Sequence, residues 1–306
     1  MSRETEKVFK AMHKYLEQHG SEDMSTDEAN DLVQKFMDEY NGQVSYVVTE
    51  ETAKTADDFL ELALDAHDEK SAIKYLKKAI KLDPDNLDVA MTLIEYTEEE
   101  PVSYLNKLEE LVKTGNRVME EGGYMSEDNI GNFWGILETR PYMRVRRKYA
   151  DTLLTSGAFR KGMQEYEEMI GLCENDNLGN RYRLMHLYVF FEDEEKALEL
   201  CRKYEGDRDS QMVLPLSILY FKKRDLKTAL KYLKKLAKIN KDTEEFIAAV
   251  VEDTIDDLIL DMDGIGYRPF TIDELLVEYM ENETFFEMMY VYFLWADEQM
   301  EKMKKL

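Results

Sequence analysis

An internal repeat constrains this chain most: at four places small and large apolar residues recur along what read as paired helices. The clearest unit runs over residues 54–86. Ala56, Phe59 and Ala63 mark a first helix, Ala72, Leu76 and Ala79 a second, and Asp83-Pro84 closes it. Small residues at a crossing let two antiparallel helices approach, large apolar residues fill the gaps, and a late proline stops the second helix because it has no N–H to continue the ladder. A second unit spans about 142–175, with Tyr149, Ala150 and Leu153, Gly157 at the turn, then Gly162, Tyr166 and Met169. The third, about 178–206, carries Leu184, Tyr188, Ala197 and Cys201. The fourth, about 211–242, carries Leu216, Ser217, Tyr220, Ala229, Leu233 and Leu236. The equivalent small residues Gly162, Ala197 and Ala229 lie 35 and 32 positions apart.

These units resemble tetratricopeptide repeats, whose period is about 34 residues. The resemblance implies an all-α fold: a right-handed α-solenoid of degenerate hairpins, with extra capping helices at both ends. The hairpins are degenerate because Leu60, Met185 and Ser217 stand where the family favours an eighth-position glycine, and only the first unit keeps its closing proline. The expected order is an N-terminal helical extension over 1–50, a first hairpin region over 51–125, central repeats over 126–242 and C-terminal capping helices over 243–306.

Composition fits such an array. A solenoid adds core one layer at a time, so 306 residues need no single large core, and five prolines with 14 glycines leave little room for long linkers. No apolar stretch follows the opening Met-Ser-Arg-Glu and no apolar run reaches the ~18 residues that span a bilayer. Only Cys173 and Cys201 occur, as packing residues of a protein in a reducing cytoplasm. The net charge of −25 would repel nucleic acid and anionic membrane.

The positive charge is concentrated. Five cations and no acid lie between Arg140 and Lys148, namely Arg140, Arg144, Arg146, Arg147 and Lys148. From Lys222 to Lys241 nine cations face Asp225 alone. Lys227, Lys231, Lys234, Lys235 and Lys238 read as the wet face of an amphipathic helix whose dry face is Leu226, Leu230, Leu233 and Leu236.

The first basic stretch follows an aromatic lead-in, Phe133-Trp134, and forms the segment Glu138-Thr139-Arg140-Pro141-Tyr142-Met143-Arg144. Together with the later turn Asn175-Asp176-Asn177, it resembles segments of uncharacterised bacterial repeat proteins, and that resemblance implies architecture only. Pro141 suits a first helical turn, and Arg144, Arg147 and Asp151 then stack at helical spacing. Asn177, Arg181 and Arg183 open the first helix of the third unit. First helices line the concave side of a tetratricopeptide solenoid, so these arginines could converge on one groove. Guanidinium groups grip carboxylates with paired hydrogen bonds, and Trp134, Tyr142 or Tyr182 could stack on a peptide side chain. The candidate peptide- or anion-binding set is therefore Trp134, Arg140, Tyr142, Arg144, Arg147, Asn177, Arg181 and Arg183. The carboxylate clamp of chaperone-binding tetratricopeptide proteins does not map residue for residue, since Asp151 and Met185 stand where it needs amides. The competing reading pairs Arg140 and Arg144 with Glu138 and acids of neighbouring repeats, as structural ion pairs.

Other chemistry has little support. An EF-hand loop with Asp263 and Gly264 as its fifth and sixth positions would need oxygen ligands at Ile259 and Phe270. The acids Asp253, Asp256, Asp257 and Asp261 instead read as the wet side of one helix with Ile247, Val250, Val251, Ile255 and Leu258 on its dry side. His13, His19, His67 and His186 are dispersed, with no ligand pair at helical spacing. No metal, cofactor or catalytic residue is expected.

At the ends, Ser25-Thr26-Asp27-Glu28 reads as a capping box with two helices preceding the repeats, and residues 41–49 as an extended connection. The turn 264–269 leads to a helix capped by Thr271-Ile272-Asp273-Glu274. The last helix, from Phe285 to Trp295, is apolar almost all round and either covers the solenoid end or forms a homodimer face. The expected function is a non-enzymatic, cytoplasmic scaffold binding a peptide or carboxylate-bearing protein partner. The alternative is a regulatory sensor of a small anionic ligand or signal peptide.

Overall fold

The structure, a computed structural model, describes residues 3–21, 24–42, 48–262 and 267–304, and no strand occurs among them. The chain divides into two compact units, Met1–Ser156 and Gly157–Leu306.

Unit one holds α1 (Arg3–His19), α2 (Thr26–Gly42), α3 (Ala56–Leu64), α4 (Glu69–Leu82), α5 (Leu87–Thr97), α6 (Pro101–Glu121) and α7 (Arg140–Thr155), with a 3-10 turn at Phe133–Gly135. Its helix starts are written locally. Ser25 and Glu28 exchange hydrogen bonds as a capping box ahead of α2, and Thr55 and Asp58 do the same at α3. Asp68 and Asn86 accept from backbone N–H groups of α4 and α5, and α6 begins with Pro101 behind the Glu100 cap. α3 and α4 form the hairpin expected over 54–86, with Phe59, Ala63, Ala72, Leu76 and Ala79 buried together. Most of the connection expected over 41–49 lies outside the described residues.

Unit two holds α8 (Phe159–Leu172), α9 (Asn180–Phe190), α10 (Glu194–Lys203), α11 (Ser210–Lys222), α12 (Leu226–Ile239), α13 (Thr243–Val251), α14 (Ile255–Leu260), α15 (Ile272–Met288) and α16 (Tyr290–Lys304). α9/α10 and α11/α12 are consecutive hairpins. Their first helices, α9 and α11, pack on each other, and α15 packs on α9, α11 and α13.

Both hairpins turn in the same way. Glu192 and Arg224 follow the first helices in left-handed conformation, with φ of 59° and 65°. The next residues, Asp193 and Asp225, donate back to Tyr188 and Tyr220 carbonyls, each at 2.9 Å. This is the Schellman closure. Asp193 and Asp225 then cap α10 and α12 with their side chains, so one residue closes one helix and starts the next. Asp253 repeats the closure after α13, with φ of 59° and Thr254 N–H bonded to the Ala249 carbonyl. A side chain in the left-handed region costs about 1 kcal/mol, and Arg224 is exposed. Arg224→Gly should therefore stabilise unit two by about that amount, read as a higher denaturant midpoint with unchanged slope.

Four expectations need correction. The single helix expected from Ile247 to Leu258 is two, broken at Asp253. The apolar run from Phe285 to Trp295 is also split, because α15 ends at Met288 and α16 starts at Tyr290. Phe285, Phe286, Tyr292 and Phe293 are buried while Met288, Tyr290, Val291 and Leu294 are exposed, so the run is two-sided after all. Thr271 holds the cap position of α15 but makes no side-chain cap bond. Asp242 accepts from Ile272 N–H in its place, and Glu274 reaches back to Phe270 N–H. On α12, Ala229, Leu233 and Leu236 are buried but Leu226, in the first turn, is exposed. Asp263, Gly264 and the rest of residues 263–266 lie outside the described residues.

Candidate functional site

The basic segment of α7 is turned inward. Arg144 is the hub: its Nε and Nη2 donate to the two Asp88 oxygens at 2.9 and 2.5 Å, and its Nη1 donates to Glu6 at 2.9 Å. Burial works against its charge, but Asp88 and Glu6 outweigh that and raise its pKa. Arg140 is buried too; its Nε donates to the Trp134 carbonyl at 2.8 Å, and Glu6 lies 3.5 Å from its Nη1. Trp134 is buried with Arg140 over its ring. Arg146 is buried beside Tyr142, Arg147 donates to Asp151 at 3.0 Å, and Lys148 pairs with Glu95 at 2.7 Å. All five cations of this segment have partners within unit one.

Tyr142 is buried at the α6–α7 crossing, where its hydroxyl donates to Asn116 Oδ1 at 2.6 Å. Opposite it stands Gly115: a Cβ there would lie 2.6 Å from the Tyr142 ring. Gly115→Ala gains up to about 1 kcal/mol of helix propensity but overpacks a closed contact, which costs about 1–3 kcal/mol. A net fall in the unfolding midpoint of unit one is expected.

In unit two the candidate residues are more open. Asn177 is exposed and sits in the turn before α9, not on the helix, where its Oδ1 accepts from the Cys173 thiol at 3.4 Å. Buried Asp176 caps the helix, accepting from the N–H groups of Asn180 and Arg181 at 2.7 and 2.8 Å. The Arg181 guanidinium bonds Asp176 and the Tyr182 hydroxyl and lies 4.4 Å from the Tyr182 ring and 5.2 Å from the Tyr204 ring, with 23% of its side chain exposed. Tyr182 in turn donates to Asp209 at 2.9 Å. Burial, followed by the nearby Asp176 charge, pushes the Tyr204 hydroxyl up to about 12. Arg183 points elsewhere: its Nε lies 3.9 Å from Glu281 on α15.

Alongside Arg183 is a buried polar cluster that the sequence reading did not single out. His186 Nε2 on α9 and Glu278 Oε1 on α15 are 3.0 Å apart, and both side chains are buried. Burial and the Arg183 charge push the imidazole down to about 3. Burial pushes the Glu278 carboxyl well up, reinforced by Asp209, Glu274 and Glu281. Both directions favour a neutral pair in which the carboxyl O–H donates to the imidazole. α15 breaks at Asn282, with φ of −128° and ψ of 22°, where the side-chain amide donates to the Glu278 carbonyl at 3.0 Å. Glu278 Oε2 and Asn282 Oδ1 are buried without hydrogen-bond partners.

A third feature lies on α4, where an open groove of about 830 Å³ is lined mainly by Ile73 and the lysines Lys70, Lys74, Lys77, Lys78 and Lys81. Glu50 sits on this row, accepting from Lys74, Lys78 and the Tyr75 hydroxyl at 3.1, 2.6 and 3.2 Å. Lys78 and then Lys74 lower its carboxyl to about 2.

Among the described residues no helix is long and apolar enough to cross a membrane, and no group of three or more His, Cys, Asp or Glu could hold a metal ion. No protein-family profile and no curated protein matches the chain. Among solved structures, the crystal structure of MamA protein is similar, with a TM-score of 0.44 and 15% identity over 62% of this chain and 94% of that chain.

Proposed function

We propose that the chain is a non-enzymatic interaction scaffold whose second unit binds a peptide or carboxylate-bearing segment of another protein. The observation that carries this reading is Arg181: a guanidinium beside two tyrosine rings, held by Asp176 and the Tyr182 hydroxyl, with part of its side chain left to solvent. Such a group is preorganised to meet a carboxylate at little entropic cost, and exposed Asn177 adds an amide nearby. Of the sequence-derived set, Asn177 and Arg181 belong to this surface, while Arg183 turns toward Glu281 on α15. Trp134, Arg140, Tyr142, Arg144 and Arg147 serve the interior of unit one, where their partners already hold them. The net charge of −25 favours a protein partner over nucleic acid or an anionic membrane.

Arg181→Gln tests the reading. It keeps both backbone N–H bonds to Asp176, so the fold, followed by circular dichroism, should persist. Partners captured from lysate by the natural chain and by the variant would be compared by mass spectrometry. A protein lost only from the variant is the expected result; identical partner sets would overturn the reading. A small anion that co-purifies and raises the melting temperature would favour a ligand sensor instead.

A further inference from the structure

The face that α9, α11 and α13 present together is covered by α15. α9 and α11 open the two hairpins of unit two, so α15 lies across both layers and onto α13. The manner of its docking is unusual. Its buried stripe begins Glu274, Leu275, Leu276, Glu278, continues through Asn282 and ends in Phe285 and Phe286. Two carboxyl groups and an amide thus stand on the side that would ordinarily be apolar.

Each acid meets a specific partner. Glu274 Oε2 accepts from the Ser210 hydroxyl at the start of α11 at 2.9 Å, Glu278 meets His186 on α9, and exposed Glu281 lies near Arg183, one turn from His186 on the same helix. Beyond them, the Phe285 ring packs against His186, Phe190 and Phe159. The face therefore reads acids at i, i+4 and i+7, then an aromatic pair at i+11 and i+12.

α15 satisfies this register incompletely. Two buried polar atoms on it, Glu278 Oε2 and Asn282 Oδ1, have no partner, and its backbone leaves helical geometry at Asn282. Unpaired buried polar groups subtract from docking, and an element docked at such a cost belongs to the part of a structure that opens first.

We propose that α15 is a self-docked, displaceable occupant of this face, and that the face recognises a partner's amphipathic helix carrying the same register of acidic side chains followed by an aromatic pair. α15 and the partner helix compete for one surface, so the free chain holds that surface shut until a better-fitting helix arrives. The inference rests on the scaffold reading only in placing a protein segment on unit two. Arg181 lies outside the α15 contacts, so the two readings can fail separately.

The test uses the full chain and a fluorescein-labelled synthetic peptide with the sequence of residues 270–289. Phe285→Ala loosens the internal helix while leaving the receiving residues Arg183, His186 and Ser210 in place. The peptide should bind this variant about tenfold or more tightly than it binds the natural chain, because the internal competitor has been weakened. A peptide carrying Glu278→Lys and Glu281→Lys should not bind. Equal affinity for both chains, or equal binding of the charge-reversed peptide, would overturn the proposal. Should the variant fail to fold, hydrogen exchange on the natural chain decides: α15 amides should exchange well before those of α9 and α11. Exchange of all three at one common rate would sink the idea.

Discussion

Reversing the charge at Arg144 should unfold unit one. Glu6 and Asp88 are both buried against this guanidinium, and removing one partner of a buried ion pair leaves uncompensated charge at a cost of about 3–5 kcal/mol. Arg144→Glu adds a third carboxylate to the same pocket, so the loss should reach at least the upper end of that range. That is a large share of the ~5–15 kcal/mol that holds a typical domain folded. Urea unfolding followed by circular dichroism measures it. Replacing Arg144 and Asp88 together by apolar residues of similar size, with Glu6 left to its contact with Arg140, should recover part of the loss, since that pair is then removed from both sides. A stable, soluble Arg144→Glu chain would show that the network contributes little.

The opposite sign is expected for Glu278→Gln. The Glu278 carboxyl is raised well above its ordinary value, so its favourable contribution is fully present below about pH 4.5 and fades as pH climbs toward the folded-state value. At pH 8 the natural chain must either hold a buried proton against the solvent or bury a carboxylate. Glutamine keeps the shape and hydrogen-bonding capacity without that cost, and unit two should gain roughly 1–4 kcal/mol. At pH 4 the two chains should converge. His186 acts at the other end: lowered to about 3, it contributes stability above about pH 6.5 that is lost as pH falls toward 3. The groups around the pair that set this profile are Arg183 on α9, Glu274 and Glu281 on α15, and Asp209 before α11. A stability difference between Glu278→Gln and the natural chain that does not change with pH would refute the neutral-pair assignment.

What the sequence displayed, and what it hid, divides by distance along the chain. The α3/α4 hairpin was legible because Ala63, Ala72, Leu76 and Ala79 recur at helical spacing and pack on near neighbours. The start of α2 was legible because Ser25 and Glu28 settle it between themselves. The fate of the cations at 140–148 was not, because Asp88 and Glu6 stand 56 and 138 positions from Arg144 and no periodicity links them. The breaks at Asn282 and Met289 carry neither glycine nor proline to announce them. Two signals were present and unread. Gly115 in the middle of α6 announces a close approach, and Glu278 on the stripe it shares with Leu275, Phe285 and Phe286 announces a buried partner.

The Glu6–Arg144 contact also has a consequence in time. A ribosome adds about 5–20 residues per second, so the 138 positions separating Glu6 from Arg144 take roughly 7–28 s to make. A helix forms in about a microsecond and a hairpin closes soon after its second strand of backbone exists, so α3 and α4 can be paired while α7 is still unmade. Throughout that interval α1 has α2 to pack on but not Arg144, and Glu6, which ends buried, has no guanidinium to meet it. The contact that ties α1 to α7 is therefore among the last of unit one to be made.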